Sequence, residues 1–151
     1  MAQPIPEGYH SVTPYLALAD TAKAIAFYEA ALGAKELYRL PMPNGRIGHA
    51  EIQIGNSRIM MSDEAPEWGN RSAKSMGGSP IGLCIYTDDV DALAKRFVAA
   101  GGKEIRPLAN QFYGDRSGIF EDPEGYKWTL AQHIEEVSPE EMQARMAKMG
   151  G

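Results

Sequence analysis

The stretch GRIGHAEIQIG, from Gly45 to Gly55, decides the fold. Read with a period of two, it places small and aliphatic residues on one face of a strand and mostly polar residues on the other. The first face holds Ala50, Ile52 and Ile54, and the second holds Ile47, His49, Glu51 and Gln53. One face is therefore expected in the core, and the other faces either a ligand cavity or plain solvent.

The same layout recurs 69 residues later in the chain. This offset pairs Asp20 with Asp89, Gly33 with Gly102, and Gly45 with Gly114. A constant offset that carries one helix pattern onto another, and one set of strand patterns onto another, indicates a duplicated module.

Each module reads as a strand, a helix and three strands. Asp20 is a natural N-cap for a helix over Thr21 to Leu32, and Gly33 ends it. The strands of the first module are predicted over Ser11 to Leu18, Ala34 to Leu40, Arg46 to Ile54 and Arg58 to Ser62. Pro14 has no amide hydrogen, so the first strand is expected at a sheet edge.

The second module repeats this order. Asp89 caps its helix, and its strands are predicted over Ile81 to Thr87, Ile105 to Leu108, Arg116 to Glu121 and Tyr126 to Ala131. Ser138, Pro139 and Glu141 form a capping box for a short C-terminal helix. We predict a single α+β domain over residues 1–151, with module 1 at about 11–62, a connection at 63–80, module 2 at about 81–133 and the last helix at about 138–149.

Composition limits the class of protein. A chain of 151 residues with 44% hydrophobic residues suits one compact domain. A net charge of -5 argues against nucleic-acid binding, and no apolar run is long enough to span a membrane. Cys84 is the single cysteine, and the Pro-rich start of the chain lacks an apolar signal core. We therefore expect a cytoplasmic protein.

The repeat resembles a known superfamily. The chain is similar to the vicinal-oxygen-chelate proteins in three short motifs. They are Phe27-Tyr28 in the first helix, Leu32-Gly33 at its end, and Asp122-Pro123-Glu124-Gly125-Tyr126 before the last strand. The superfamily includes glyoxalase I, extradiol dioxygenases, and bleomycin- and fosfomycin-resistance proteins. The resemblance covers Ser11 to His133. It implies two modules of a curled mixed sheet around a cavity, often in a homodimer.

The resemblance also implies which positions would hold a metal ion. Metal-dependent members carry ligands on the first and last strands of each module, and those positions fall on Thr13, Met60, Gly82 and Thr129. Divalent cations need imidazole, carboxylate or thiolate donors, which these four residues do not supply. We therefore expect no metal and no cofactor, as in the metal-free branch that resembles bleomycin-resistance proteins.

The predicted cavity face is aromatic with a few polar groups. From strands we place there Tyr15, His49, Glu51, Met60, Cys84, Tyr86, Arg116, Phe120 and Thr129, and from loops Trp68, Phe112 and Tyr113. Aromatic faces stack on flat molecules and attract cations. This composition is typical of a pocket for an aromatic or cationic small molecule.

Several alternatives stay open at this point. His49 and Glu51 point the same way along one strand, so they are candidate acid–base residues, or they simply satisfy each other in a half-buried network with an arginine. A nonstandard metal site from His10, His49, Glu51 and His133 is conceivable. Cys84 is expected in the core rather than as a nucleophile.

The leading hypothesis is a metal-free binding protein of the bleomycin-resistance type. It would sequester an aromatic or cationic compound in a cavity or a homodimer groove, as in antibiotic resistance. The alternative is a lyase, isomerase or oxygenase of the same superfamily, working through a nonstandard metal site or through His49 and Glu51. A third possibility is an interaction module without a ligand.

Overall fold

The computed structural model describes residues 2–150, which form two four-stranded mixed sheets. The first sheet has the order β1-β4-β3-β2, with β1 (Tyr15–Leu18), β2 (Lys35–Pro41), β3 (Ile47–Ile54) and β4 (Ser57–Asp63). The second has the order β5-β8-β7-β6, with β5 (Gly82–Tyr86), β6 (Lys103–Asn110), β7 (Asp115–Glu121) and β8 (Lys127–His133). The predicted tandem α+β fold is thereby confirmed, as two separate sheets without a closed barrel within residues 2–150. Met1 and Gly151, the ends of the predicted domain, lie outside the described residues.

Four helices accompany the strands. They are α1 (Thr21–Leu32), α2 (Ala73–Met76), α3 (Val90–Ala99) and α4 (Pro139–Met149). The carboxylate of Asp20 accepts the amide of Lys23 at 3.1 Å, and that of Asp89 accepts the amide of Ala92 at 3.1 Å. Both predicted N-caps are confirmed. Within residues 2–150, none of these helices has the length and hydropathy needed to cross a bilayer.

Two predicted segments differ from the structure. The first strand begins at Tyr15 rather than Ser11, because Pro14 has no amide to donate to the ladder and joins it only through its carbonyl, which accepts the amide of Met60 at 3.0 Å. The predicted connection 63–80 contains a 3₁₀ turn over Pro66–Trp68 and the single-turn helix α2. Helices this short carry no period that a sequence pattern can reveal.

The two modules meet through their helices. α1 packs against α3, and each helix covers one side of its own sheet. The ring centroids of Phe27 and Phe97 lie 5.1 Å apart in an edge-to-face contact. The guanidinium of Arg96 donates to the carbonyl of Ala30 at 2.6 Å. The side of each sheet that faces away from its helix is called the outer face below.

The pairing of the strands shows that the offset between the two modules is not constant along the chain. Tyr15 pairs with Met60 and Cys84 pairs with Thr129, so β1 and β4 keep the offset of 69 to β5 and β8. In contrast, Glu51 pairs with Met60 while Ile119 pairs with Thr129, so the equivalents of β3 residues in β7 lie 68 positions later. One residue is missing between α3 and β6, and one is added in the turn between β7 and β8. The constant offset expected from the sequence is therefore wrong for two strands of each module.

The added residue belongs to the turn Asp122–Tyr126, which links the modules. The amide of Gly125 donates to the carbonyl of Asp122 at 3.0 Å and closes the turn. The Asp122 carboxylate accepts the Tyr28 hydroxyl at 2.6 Å and the Trp128 indole at 2.9 Å. The Glu124 carboxylate accepts the backbone amides of Ala19 and Asp20 at 2.7 and 3.0 Å. Burial raises the pKa of both carboxyls, so each depends on these donors to remain ionised.

Candidate functional site

Four side chains form a continuous chain of hydrogen bonds on the outer face of the first sheet, here called the first-sheet network. The Tyr15 hydroxyl lies 2.9 Å from His49 Nδ1, and His49 Nε2 lies 2.7 Å from Glu51 Oε2. The Tyr38 hydroxyl donates to the same Glu51 oxygen at 2.7 Å. These residues meet because Tyr15 and Glu51 both flank Met60 in the ladder, while Tyr38 lies opposite Glu51 on β2.

Burial and charge determine the proton positions in this network. Glu51 is only 6% exposed, and its burial raises the pKa of the carboxyl, an effect that the charge of Arg58 partly offsets. When Glu51 is ionised it only accepts hydrogen bonds, so Nε2 of His49 then carries the ring proton. The other ring nitrogen, Nδ1, then accepts the hydroxyl proton of Tyr15.

The aromatic rings of the network remain open to a ligand. The His49 ring lies between Tyr15 and Tyr38, with centroid distances of 5.4 and 5.9 Å. Tyr15 is 49% exposed and Tyr38 is 44% exposed. The face therefore offers flat apolar surface beside a buried, hydrogen-bonded carboxylate.

A second cluster lies on the outer face of the second sheet, here called the second-sheet network. The Tyr86 hydroxyl donates to Asp115 at 2.7 Å, and the two ring nitrogens of His133 lie 2.8 Å from Asp115 and 3.2 Å from Glu136. Its hydrogen bond to Asp115 raises the pKa of Tyr86 to about 12. Nearby, the rings of Phe112 and Tyr113 pack edge to face at 5.2 Å.

The second-sheet network predicts a titration. The hydrogen bond to Asp115, and to a smaller extent the one to Glu136, raises the pKa of His133. Because the folded pKa lies above the unfolded value, the stabilisation is complete at pH below about 6.5 and is lost as pH rises through the folded pKa. We expect the His133 imidazole, followed by NMR, to titrate above its ordinary pKa, and Asp115→Asn to lower that midpoint more than Glu136→Gln. An unchanged midpoint in Asp115→Asn would contradict this.

The structure divides the predicted site residues between the two sheets. It brings Tyr15, His49, Glu51 and Met60 together on the first outer face. It places Tyr86, Phe112, Tyr113 and Thr129 with the second sheet. Trp68, predicted from a loop, lies on the 3₁₀ turn over Pro66–Trp68 and is 86% exposed to solvent.

Three predicted placements are wrong. Phe120 is completely buried and packs on Phe97, on the helix side of β7. Arg116 lies on the same side, where its guanidinium contacts the Asp91 carboxylate at 2.9 Å. The shifted offset explains both errors, since Ile119 and not Phe120 is the equivalent of Glu51. Cys84 is exposed on the outer face of β5 and does not belong to the core.

Sequence reasoning missed Tyr38 and Asp115. A register irregularity between Glu36 and Tyr38 moves Tyr38 to the opposite face from the one that strict alternation along β2 assigns. Asp115 lies one residue before the predicted strand Arg116 to Glu121, although it begins β7 and is 6% exposed. No local pattern marks Asp115, because its position depends on the pairing of β7 with His133 on β8.

The residues present do not suit the metal site of the superfamily. The ladder places Tyr15 rather than Thr13 beside Met60, and Cys84 rather than Gly82 beside Thr129. Across residues 2–150, no three His, Cys, Asp or Glu side chains are grouped to hold a metal ion. This includes the conceivable set of His10, His49, Glu51 and His133, of which only His49 and Glu51 are neighbours. Of Tyr15, Met60, Cys84 and Thr129, which occupy these positions, Cys84 alone is a usual ligand, and one donor is too few to hold a divalent ion.

A cavity of about 490 Å³ lies elsewhere, between the modules. It is bordered by the chain before β1, the start of β4 and the strand β5, with Leu32, Leu93 and Trp128 among its apolar lining residues. Tyr86 and Cys84 also border it, but the first-sheet network does not. We assign the candidate site to the first outer face, because there the His49 ring lies between two half-exposed tyrosine rings and is bonded to a buried carboxylate.

Comparison with known proteins supports the assignment of the fold. An uncharacterized protein of Mycobacterium bovis, Mb0911c, is 38% identical over 143 residues, which cover 93% of this chain and 94% of that protein. A lactoylglutathione lyase of Neisseria meningitidis serogroup A is 26% identical over 118 residues, covering 78% and 86%. The X-ray structure of a gene product from Arabidopsis thaliana superimposes with a TM-score of 0.68 at 25% identity, covering 82% and 98%.

The sequence profile of one family spans most of the chain. Residues 9–130 match the Glyoxalase/Bleomycin resistance protein/Dioxygenase superfamily. This range contains both modules, from the residues before β1 to the middle of β8. The chain therefore belongs to the Glyoxalase/Bleomycin resistance protein/Dioxygenase superfamily.

Proposed function

We propose that this protein is a metal-free small-molecule binding protein whose site is the outer face of the first sheet. The observation that carries the proposal is the first-sheet network, in which a buried Glu51 holds His49 between two half-exposed tyrosines. Convergent polar groups beside apolar rings are the usual composition of a ligand site. The protein would sequester its ligand in the cytoplasm, as a resistance protein sequesters a drug.

The chemistry of this face favours an aromatic or cationic ligand. Tyr15 and Tyr38 offer ring faces for stacking, and a cation over such a ring gains roughly 0.5 to 2 kcal/mol. The Glu51 carboxylate and the net charge of -5 favour positive over negative ligands. The hydroxyls of both tyrosines add directional hydrogen bonds that fix the orientation of the ligand.

We also propose that a second copy of the chain completes the site. Leu40 is 56% exposed and Met42 is 48% exposed beside Tyr38, so the apolar surface extends beyond the network. An open sheet face buries only one side of a ligand, whereas ligand sites usually enclose most of its surface. A native mass measurement at micromolar protein is expected to give twice the monomer mass. A monomer mass that persists in the presence of ligand would contradict this part of the proposal.

A thermal denaturation screen tests the binding proposal. Aromatic ammonium compounds are compared with neutral compounds of the same shape, because a ligand that binds only the folded state stabilises it by about 2.7 kcal/mol at 100 times its Kd. We expect His49→Ala to remove the shift. Arg116→Gln is the matched control, since Arg116 contacts Asp91 on the helix side and should leave the shift unchanged. A shift that persists in His49→Ala places the ligand elsewhere and contradicts the proposal.

An enzyme of the same superfamily, a lyase, isomerase or oxygenase, is the second candidate. The relative named lactoylglutathione lyase is an enzyme by its name, and the hydrogen-bonded chain from Glu51 through His49 to Tyr15 is the observation that favours activity here. Turnover of a bound compound by the wild-type protein, with loss in Glu51→Gln, would favour this candidate over sequestration.

A further inference from the structure

We propose that Tyr15 exchanges a proton with the bound molecule, with His49 and Glu51 as its relay, and that the site accepts phenols and other weakly acidic hydroxyl compounds. This inference rests on the proposed site and names its ligand chemistry. Nothing in the sequence pattern singled out Tyr15 for this role, because the relay crosses from β3 to β1, which are separated by β4 in the sheet.

The geometry gives the relay its direction. Glu51 Oε2 lies 2.7 Å from His49 Nε2, and His49 Nδ1 lies 2.9 Å from the Tyr15 hydroxyl. Glu51 is buried, His49 is partly covered with a side chain 23% exposed, and Tyr15 is 49% exposed. The charged end of the chain is therefore inside the protein, and the hydroxyl end is where a ligand makes contact.

The proton balance of the step is simple. The hydroxyl of the ligand gives its proton to the oxygen of Tyr15, while the original proton of Tyr15 passes to Nδ1 of His49. The O–H bond of the ligand breaks, and an N–H bond forms on the imidazole. The ligand becomes an anion and His49 an imidazolium that lies next to the Glu51 carboxylate, so the net charge of the occupied site does not change.

The second sheet contains a natural comparison. Tyr86 is also open to solvent, with 60% of the residue exposed, but its hydroxyl donates to a carboxylate, that of Asp115, at 2.7 Å. The ordinary pKa values of tyrosine and histidine differ by about 3.5 units, whereas those of tyrosine and aspartic acid differ by about 6 units. Imidazole is therefore the much better acceptor of a phenolic proton, and Asp115 raises the pKa of Tyr86 to about 12.

The aromatic surroundings favour a ring-bearing hydroxyl compound. The centroids of the Tyr38 and His49 rings lie 5.9 Å apart. A flat ligand that stacks on the Tyr38 ring would carry its hydroxyl at the edge of its own ring. Phenols combine a stacking ring with an acidity close to that of Tyr15 itself, so exchange between the two hydroxyls is nearly balanced. The net transfer to His49 is uphill by the difference of about 3.5 units between phenol and imidazole, and it relies on the Glu51 carboxylate beside the ring.

Benzenesulfonyl fluoride tests the relay without knowledge of the natural ligand. It reacts with a phenol whose proton is taken by a neighbouring base: a Tyr O–S bond forms, the S–F bond breaks and fluoride leaves. The labelling rates of Tyr15 and Tyr86 are measured in the same full-length sample by peptide mass spectrometry. We expect Tyr15 to be labelled roughly 100-fold faster than Tyr86, the size of a typical general-base effect.

Two variants give the matched controls. His49→Gln removes the base, and Glu51→Gln keeps the shape of the relay but removes its charge; both should reduce the rate at Tyr15 to near that of Tyr86. The rate at Tyr86 should be unchanged in both variants, which shows that they are folded. Equal rates at the two tyrosines in wild type, no labelling of Tyr15, or full labelling of Tyr15 in His49→Gln each overturns the relay.

The outcome for the relay is separate from the outcome for binding. Stabilisation by 4-nitrophenol is measured on the same protein by thermal denaturation and compared with nitrobenzene, which has no hydroxyl. Stabilisation by both compounds, with slow labelling of Tyr15, would retain the binding proposal and overturn the relay. Fast labelling of Tyr15 without stabilisation by any aromatic compound would retain the relay among Tyr15, His49 and Glu51, and would overturn both the binding proposal and the phenolic ligand.

Discussion

Replacing Asp122 by alanine is expected to lower the free energy of unfolding by about 3 to 5 kcal/mol, because each buried donor left without a partner costs about 1 to 3 kcal/mol. Four donors depend on this carboxylate. They are the Tyr28 hydroxyl, the Trp128 indole and the amides of Glu124 and Tyr126. Asp122 itself is 3% exposed, so water does not replace the lost acceptor without local opening.

The position of Asp122 between the modules makes this loss large. Tyr28 belongs to α1 of the first module, whereas Trp128 belongs to β8 of the second, and their rings lie 5.6 Å apart. The same turn also holds the start of α1 through Glu124. Loss of Asp122 is therefore expected to loosen the contact between modules as well as the turn.

Urea denaturation followed by tryptophan fluorescence measures this effect. Glu121→Ala is the matched control, since it removes a neighbouring carboxylate from the opposite face of β7 and should cost less than about 0.5 kcal/mol. Asp122→Asn should be intermediate, because one oxygen still accepts the two amides while its NH₂ group meets the donors of Tyr28 and Trp128. A loss below about 1 kcal/mol in Asp122→Ala would show that the turn does not join the modules.

Replacing Phe120 by alanine is expected to cost about 3 to 5 kcal/mol, the usual price of removing a buried aromatic ring from a packed core. Phe120 contacts Phe97 with ring centroids 5.7 Å apart and is completely buried. The same substitution should leave any ligand-induced stabilisation unchanged, because the side chain lies on the helix side of β7.

Ile119→Ala is the control for the register of β7. Ile119 is half-buried on the outer face, so its truncation should cost about 1 kcal/mol or less. Larger destabilisation by Ile119→Ala than by Phe120→Ala, measured by urea denaturation, would mean that the faces of β7 are reversed and that the offset of 69 holds throughout.

Much of the fold was predictable because its signals are local. Asp20 and Asp89 cap helices through bonds to residues three positions ahead, and Gly33 has the left-handed φ of +68° that ends α1. The turn at Asp122 is likewise contained in five residues. Such contacts are short in sequence, so residue order alone reveals them.

The site was predictable only in part, because its geometry depends on pairing between distant strands. His49 and Glu51 were identified from alternation along one strand. Tyr15 was placed on the same face, but its bond to His49 was not predicted, since it joins two strands across 34 positions of sequence. Tyr38 was missed because it follows a register irregularity. A change of one residue in register reverses the face of every side chain on a strand, which is why Phe120 and Arg116 were misplaced.

By itself the sequence determined a duplicated module, its helices and turns, and the chemical types available to a ligand, since caps, periods and repeats are written along the chain. Tertiary structure alone decided that Asp122 joins the modules, that Phe120 belongs to the core and that Tyr15 is linked to Glu51 through His49. The physical reason is that ladder register and helix packing select which side of each strand is buried, and one inserted or deleted residue in a turn changes that selection without changing the pattern on either side.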